Sequence, residues 1–111
     1  MTWSQFHERM AFMTALIERA NDNPDVASVF EGETSDIERL FGNEEDLLLS
    51  LQQGWLTALT ARLDQAAHRG IPLQWAIAEL EDQHRGLRAL LRMAAQRSSR
   101  VRVLQRDERR A

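Results

Sequence analysis

The sequence predicts an all-α fold, a small helical bundle of three long helices and two short ones. Apolar residues recur at steps of three and four along most of the chain, and residues typical of helix caps separate these periodic stretches. A chain of 111 residues suits one domain with a modest core. We expect residues 1–97 to form that domain and residues 98–111 to form a basic, arginine-rich C-terminal tail that can be flexible.

The first long helix is expected at about residues 2–20. Thr2 and Gln5 have the spacing of a capping box, in which each side chain bonds the backbone N–H of the other residue. An apolar stripe follows, and it comprises Trp3, Phe6, Met10, Met13, Ile17 and Ala20. A stripe at this spacing predicts that the helix packs along the central helix of the bundle.

Two short helices are expected at about residues 24–31 and 35–41. Pro24 suits the first position of one helix, because proline lacks an N–H that would be unpaired there. Ser35 and Glu38 have capping-box spacing at the start of the other.

The central long helix is expected at about residues 43–69, after the capping residue Asn43. Its apolar arc covers more than half of the circumference, which predicts contacts with several neighbours. Gly54 lies mid-helix, where glycine costs about 1 kcal/mol relative to alanine. We therefore expect a close crossing at Gly54 and Trp55, within the chain or across a dimer axis. Arg62 projects from the same arc, either with a packed stem and its head at water or a carboxylate, or as an anion-binding or interface residue.

The third long helix is expected at about residues 72–97, directly after a stop signal at Gly70. A connection this short predicts an antiparallel hairpin with the central helix. Its nearly strict heptad seam consists of Leu73, Ile77, Leu80, His84, Leu87 and Leu91.

Charge is divided sharply along the chain. Residues 1–84 hold 15 acidic residues and 5 arginines, whereas residues 85–111 hold 9 arginines and 2 acidic residues. These parts must meet each other, a second subunit or another partner, because separated fields of opposite sign attract. The candidate partner-binding residues are Arg85, Arg88, Arg92, Arg97, Arg100 and Arg102.

Several functional classes find no support in the sequence. The chain has no cysteine, which excludes disulfides and thiolate chemistry. It has no Gly-rich phosphate loop, HExxH motif or nucleophile elbow, so we expect neither a cofactor nor catalysis. Without a long apolar run or signal-peptide pattern, we expect a cytoplasmic protein that does not contact a membrane.

One motif is typical of a metal site. Glu81 and His84 form Glu-x-x-His, the spacing that places both side chains on one helix face in di-iron bundles. A homodimer would supply a second copy, with Glu8 or Glu18 as further ligands. One motif alone leaves the ligand set incomplete, and the alternative is a histidine at the core boundary.

The segments Asp25-Val26-Ala27 and 41–48 (FGNEEDLL) resemble the pattern that TetR-family regulators carry across their helix-turn-helix. The resemblance implies a helical DNA-binding scaffold, with the recognition helix near residues 35–39. Glu44 stands where the family usually has lysine, and residues 21–50 hold nine acidic residues and one arginine. Since these charges would repel phosphate, we do not expect a nucleic-acid partner.

The sequence thus favours a non-enzymatic helical interaction or regulatory module. We expect a homodimer, because the three long helices offer more apolar surface than they can bury among themselves. The arginines from Arg85 to Arg102 and the acidic segment of residues 21–50 are expected to bind protein partners. The alternatives are a TetR-like transcription regulator and a dimeric ExxH metal-binding protein.

Overall fold

The computed structural model describes the backbone of residues 2–110 and the side chains of residues 2–108. The predicted all-α class is confirmed, since the described residues contain helices and no strand. The elements are α1 (Trp3–Asp22), a 3-10 helix (Val26–Phe30), α2 (Thr34–Phe41), α3 (Glu44–Arg69), α4 (Leu73–Gln83), α5 (Arg85–Arg97) and α6 (Ser99–Arg110).

The helix ends follow the local sequence at most positions. The capping box of α1 is present, with 3.1 Å from the Gln5 N–H to Thr2 Oγ1 and 2.9 Å from the Thr2 N–H to Gln5 Oε1. Asn43 caps α3 by accepting the Asp46 N–H at 2.8 Å. The capping box expected at Ser35 is absent, because α2 already begins at Thr34.

Helix α3 is the central element, and its apolar side carries much of the core. The buried residues of this helix include Leu47, Leu48, Leu51, Trp55 and Ala66. Gly70 ends the helix in the left-handed conformation with φ of 68°, and α4 returns along α3 as the expected hairpin. Arg62 joins the two helices, since its side chain is 15% exposed and donates to Glu79 Oε2 at 3.3 Å.

The third long helix expected at residues 72–97 is divided into α4 and α5 at His84. The backbone of His84 has φ of −119° and ψ of 39°, which lies outside the α-helical region. Beyond this break α5 leaves the line of α4 and packs against α1. The expected straight heptad seam is therefore interrupted, and Leu73 at its start is 50% exposed.

Helix α1 packs mainly against α5, and not along α3 as its apolar stripe predicted. At the crossing the Gly86 N–H donates to Asn21 Oδ1 at 2.7 Å. A Cβ atom at Gly86 would lie 2.6 Å from the Ile17 carbonyl oxygen, so only glycine fits without displacement. A Cβ atom at Gly54 would meet nothing within 4 Å. The close crossing within the chain thus lies at Gly86 and not at Gly54.

The residues expected in a basic tail form α6, which packs against α3 and α5. Val101 is fully buried and anchors this helix in the core. Gln105 and Glu108 follow Val101 at steps of four and three, so they share the inward side of α6. A helix with one apolar and two polar inward residues does not show a strong apolar stripe in the sequence.

Replacing Gly86 with alanine and replacing Gly54 with alanine should change the stability of the fold in opposite directions. Gly86→Ala should lower the free energy of unfolding by about 1–3 kcal/mol, because the added methyl group overlaps the backbone of α1. Gly54→Ala should raise it by about 0.5–1 kcal/mol, because alanine favours the helix and the methyl group meets no neighbour in the chain. Urea denaturation followed by circular dichroism, at concentrations where each variant is monomeric, measures both values. Equal effects would contradict the close approach of α1 at Gly86.

Candidate functional site

An open groove of about 550 Å³ runs between α1 and α3. It lies where direct packing of these two helices was expected. The groove is mostly apolar, with polar side chains at Thr14, Ser50, Gln53 and Thr57. Its other lining residues on α1 and α3 are Phe6, Met10, Met13, Ile17, Leu51, Gly54 and Ala58, with His84 and Leu87 at α4–α5. The geometry suits an elongated apolar group such as one face of a helix.

The α1 side of the groove continues into an exposed apolar ridge formed by Trp3, Phe6 and Met10. These side chains are 76%, 42% and 45% exposed. The Trp3 and Phe6 rings stack with their centroids 6.2 Å apart, so the two aromatic groups form one continuous surface. Half of the stripe that the sequence assigned to the core therefore lies at the surface. Contiguous apolar patches of this kind typically mark interaction sites.

The α3 side of the groove carries no charge in its middle. No charged residue occurs between Asp46 and Arg62, and the exposed positions include Gln53, Gly54 and Thr57. A partner can cover an uncharged surface without burying a charged side chain that lacks a counter-ion. The predicted interface residue Gly54 thus lies on the floor of an accessible groove.

Trp55, another interface candidate, lies inside the chain and is 1% exposed. Its indole N–H donates to Glu108 Oε1 at 2.9 Å, and the amide of the fully buried Gln52 donates to Glu108 Oε2 at 3.3 Å. Gln105 donates to Gln52 Oε1 at 3.1 Å and to the Leu91 carbonyl at 3.0 Å. This polar network fastens α6 to α3 and α5, and it leaves Trp55 no surface for a second subunit.

Three of the six candidate arginines are engaged inside the chain. Arg88 lies over the Trp55 ring, 4.7 Å from its centroid. Its Nε and Nη1 atoms are buried and have no hydrogen-bond partner among the described residues. Arg97 pairs with Glu44, and Arg100 lies 3.6 Å from Glu45. The basic and acidic parts of the chain therefore meet at the start of α3.

The other three candidates, Arg85, Arg92 and Arg102, are exposed. None of them has a carboxylate within 4.0 Å in the described part of the chain. Arg85 and Arg92 border a surface depression of about 560 Å³, together with Asn21, Asp22 and Asn23. These arginines remain available to an anionic partner.

The two metal-ligand candidates lie at the break between α4 and α5. His84 Nδ1 is 3.0 Å from the Leu80 carbonyl oxygen, and Glu81 lies 4.0 Å from Arg88 Nε. Glu8 bonds Arg39 at 2.9 Å. Within residues 2–108, no cluster of three or more histidine, aspartate and glutamate side chains is arranged to hold a metal ion.

Around the segment that resembles a helix-turn-helix, the elements follow in the expected order: the long α1, the short 3-10 helix, the short α2 and the long α3. Arg39, the one arginine of residues 21–50, lies between Glu8 at 2.9 Å and Asp36 at 3.1 Å. The hydrogen bonds to Glu8 and then Asp36 raise the pKa of Arg39 above its ordinary value. This cation is therefore already paired, and the resemblance to TetR regulators stays a prediction.

No family model, curated protein or solved structure matches this chain. Among the described helices, none combines the length and the apolar character needed to cross a membrane.

Glu108→Ala should destabilise the fold, and Asp107→Ala should not. Loss of the Glu108 carboxylate leaves the Trp55 and Gln52 donors unpaired in the core, which should lower the free energy of unfolding by about 1–3 kcal/mol. Asp107 is exposed on the same helix and makes no ion pair among the described residues, so its variant controls for the loss of an α6 carboxylate. Urea denaturation compares the two variants, and equal stabilities would contradict the anchoring role of Glu108.

Proposed function

We propose that this chain is a non-enzymatic interaction module that binds the apolar face of a helix in the groove between α1 and α3. The observation that carries the proposal is the exposed ridge of Trp3, Phe6 and Met10 beside the uncharged face of α3. Recognition of a helix by a groove uses apolar anchors spaced by three and four residues. The ridge has this spacing on one side, and Gly54 allows a close backbone approach on the other.

The two helices that form the walls of the groove are held by shared neighbours, because α5 and α2 each pack against both α1 and α3. Helix α1 is held by α5 at Gly86, and α3 is held by α4 and α6. The walls therefore keep their spacing without an occupant, and binding does not require ordering of the backbone. A preorganised surface loses less conformational entropy on binding than a flexible one.

A photo-crosslinking amino acid in place of Met10 should capture the partner in cells that express the full chain. The same group in place of Ala15 serves as the control, because Ala15 is exposed but lies about 140° around α1 from Met10. We expect a covalent adduct from position 10 and none from position 15, and its mass identifies the occupant. Adducts of equal yield from both positions, or none from position 10, would overturn the proposal.

We further propose that Arg85 and Arg92, which border one surface depression, form a second surface that binds an acidic protein partner, and that the exposed Arg102 also binds anionic groups. Their exposure and the absence of a carboxylate within 4.0 Å among the described residues support this assignment. The guanidinium group bonds a carboxylate through two parallel N–H groups, which favours arginine at such surfaces. Residues 85–111 contain no aromatic side chain that would stack on nucleic-acid bases.

Retention on immobilised poly-glutamate should depend on Arg92 and weaken as salt is added. Arg92→Glu should shift elution to lower salt, whereas Arg69→Glu should shift it less, although both variants change the net charge by the same amount. Arg69 is exposed at the far end of α3 and controls for general charge effects. Equal elution shifts for the two variants would contradict the proposed second surface. Salt-dependent retention on duplex DNA in place of poly-glutamate would favour the TetR-like alternative.

A further inference from the structure

We infer that the occupant of the groove is helix α1 of a second copy of this chain, packed antiparallel about a two-fold axis near Met10. The inference rests on the proposed function of the groove and adds the identity and orientation of its occupant. Four properties of this surface support it: the position of the ridge beside the groove, the area it exposes, the absence of charge and the glycine at position 54.

A two-fold interface requires a surface that is complementary to itself, because both copies contribute the same residues. The exposed ridge of α1 lies directly beside the groove on one face of the molecule. Rotation about an axis near Met10 places each ridge over the groove of the other copy. Trp3 and Ile17 lie seven residues on either side of Met10, so the apolar stripe is evenly divided by that axis.

The exposed aromatic area supplies a substantial part of what a dimer requires. An aromatic side chain buries about 150–250 Å², so Trp3 and Phe6, at 76% and 42% exposed, offer about 250 Å² together. A standard interface buries about 800 Å² on each partner. The two aromatic residues supply roughly a third of that area, and Met10 and the groove floor on α3 extend it.

Charge also favours a second copy on this surface. Each copy has a formal net charge of −3, so two copies repel each other, and charged groups of like sign in the contact would add to that repulsion. The apolar stripe of α1 is uncharged, and α3 carries no charge from residue 47 to residue 61. Self-association here therefore brings no like charges into the contact.

Gly54 supplies an observation that the isolated chain does not explain. The residue has helical backbone geometry, and a Cβ atom there would meet nothing within 4 Å. Among the described residues, neither a turn nor a neighbouring side chain requires glycine at this position. A second helix lying on the groove floor does require the space, because a methyl group would hold its backbone away.

The purified full-length protein should show a monomer–dimer equilibrium in sedimentation velocity over the micromolar range. Because the chain has no cysteine, Met10→Cys introduces one thiol, which should form an intermolecular disulfide under mild oxidation. Ala15→Cys should give little of this product, since that position faces away from the groove. A purified protein that stays monomeric, or equal disulfide yields at both positions, would overturn the inference.

Two substitutions test the contact itself. Phe6→Glu should raise the dimer dissociation constant by at least about 30-fold, as expected for loss of an aromatic anchor. Gly54→Ala should raise it by about 10-fold while making the monomer more stable, so its effect cannot arise from misfolding. An unchanged dissociation constant for both variants would overturn the inference.

The proposed function and the second-copy inference can fail separately. Adducts from position 10 to a different protein, together with a purified chain that stays monomeric, would leave the groove as a binding site and overturn only the second copy. A dimer that forms without a disulfide from position 10 would place self-association elsewhere and overturn the inference. An adduct of twice the mass of the chain would support both.

Discussion

The hydrogen bond from the Gly86 N–H to the Asn21 side chain marks the contact on which the helix arrangement depends. Only a residue without a Cβ atom permits the α1 backbone to approach so closely. The break at His84 gives α5 the direction it needs for this crossing, because a straight continuation of α4 would follow α3. With α1 held by α5, the outer face of α3 is only partly covered. The groove is thus a consequence of the crossing.

The helix arrangement also depends on ion pairs between the acidic and the basic part of the chain. Glu44 and Glu45 at the start of α3 meet Arg97 and Arg100 at the junction of α5 and α6. These pairs are largely exposed, so each contributes little to stability, and the buried polar network around Trp55 is the stronger anchor of α6. A buried network stabilises a unique arrangement only when its members are satisfied, because an unpaired group loses hydration without compensation. The internal pairs also decide which arginines remain for a partner.

Much of the fold could be predicted from the sequence, but helix rotation could not. Asn43 and Gly70 mark the ends of α3, because caps depend on neighbouring residues alone. Gly54 and Gly86 are both helical glycines, and only the rotation of each helix against its neighbours decides which one faces a backbone. For the same reason periodicity located the α1 stripe without showing that Trp3 and Phe6 stay exposed. The inward side of α6 escaped prediction because Gln105 and Glu108 are polar and lie among arginines.

Two departures from the rules for a stable isolated chain lie on the same face. Trp3 and Phe6 expose aromatic surface that water solvates poorly, and Gly54 weakens the middle of the longest helix. Two other departures have a local reason: Gly86 admits α1, and the buried Gln52 has its partners on α6. Trp75 on α4 is also exposed, at 73%, and lies outside this face. Residues that reduce stability without a reason inside the chain are expected where selection acts on binding. Their coincidence on opposite walls of one groove is therefore a stronger argument for an interface than either departure alone.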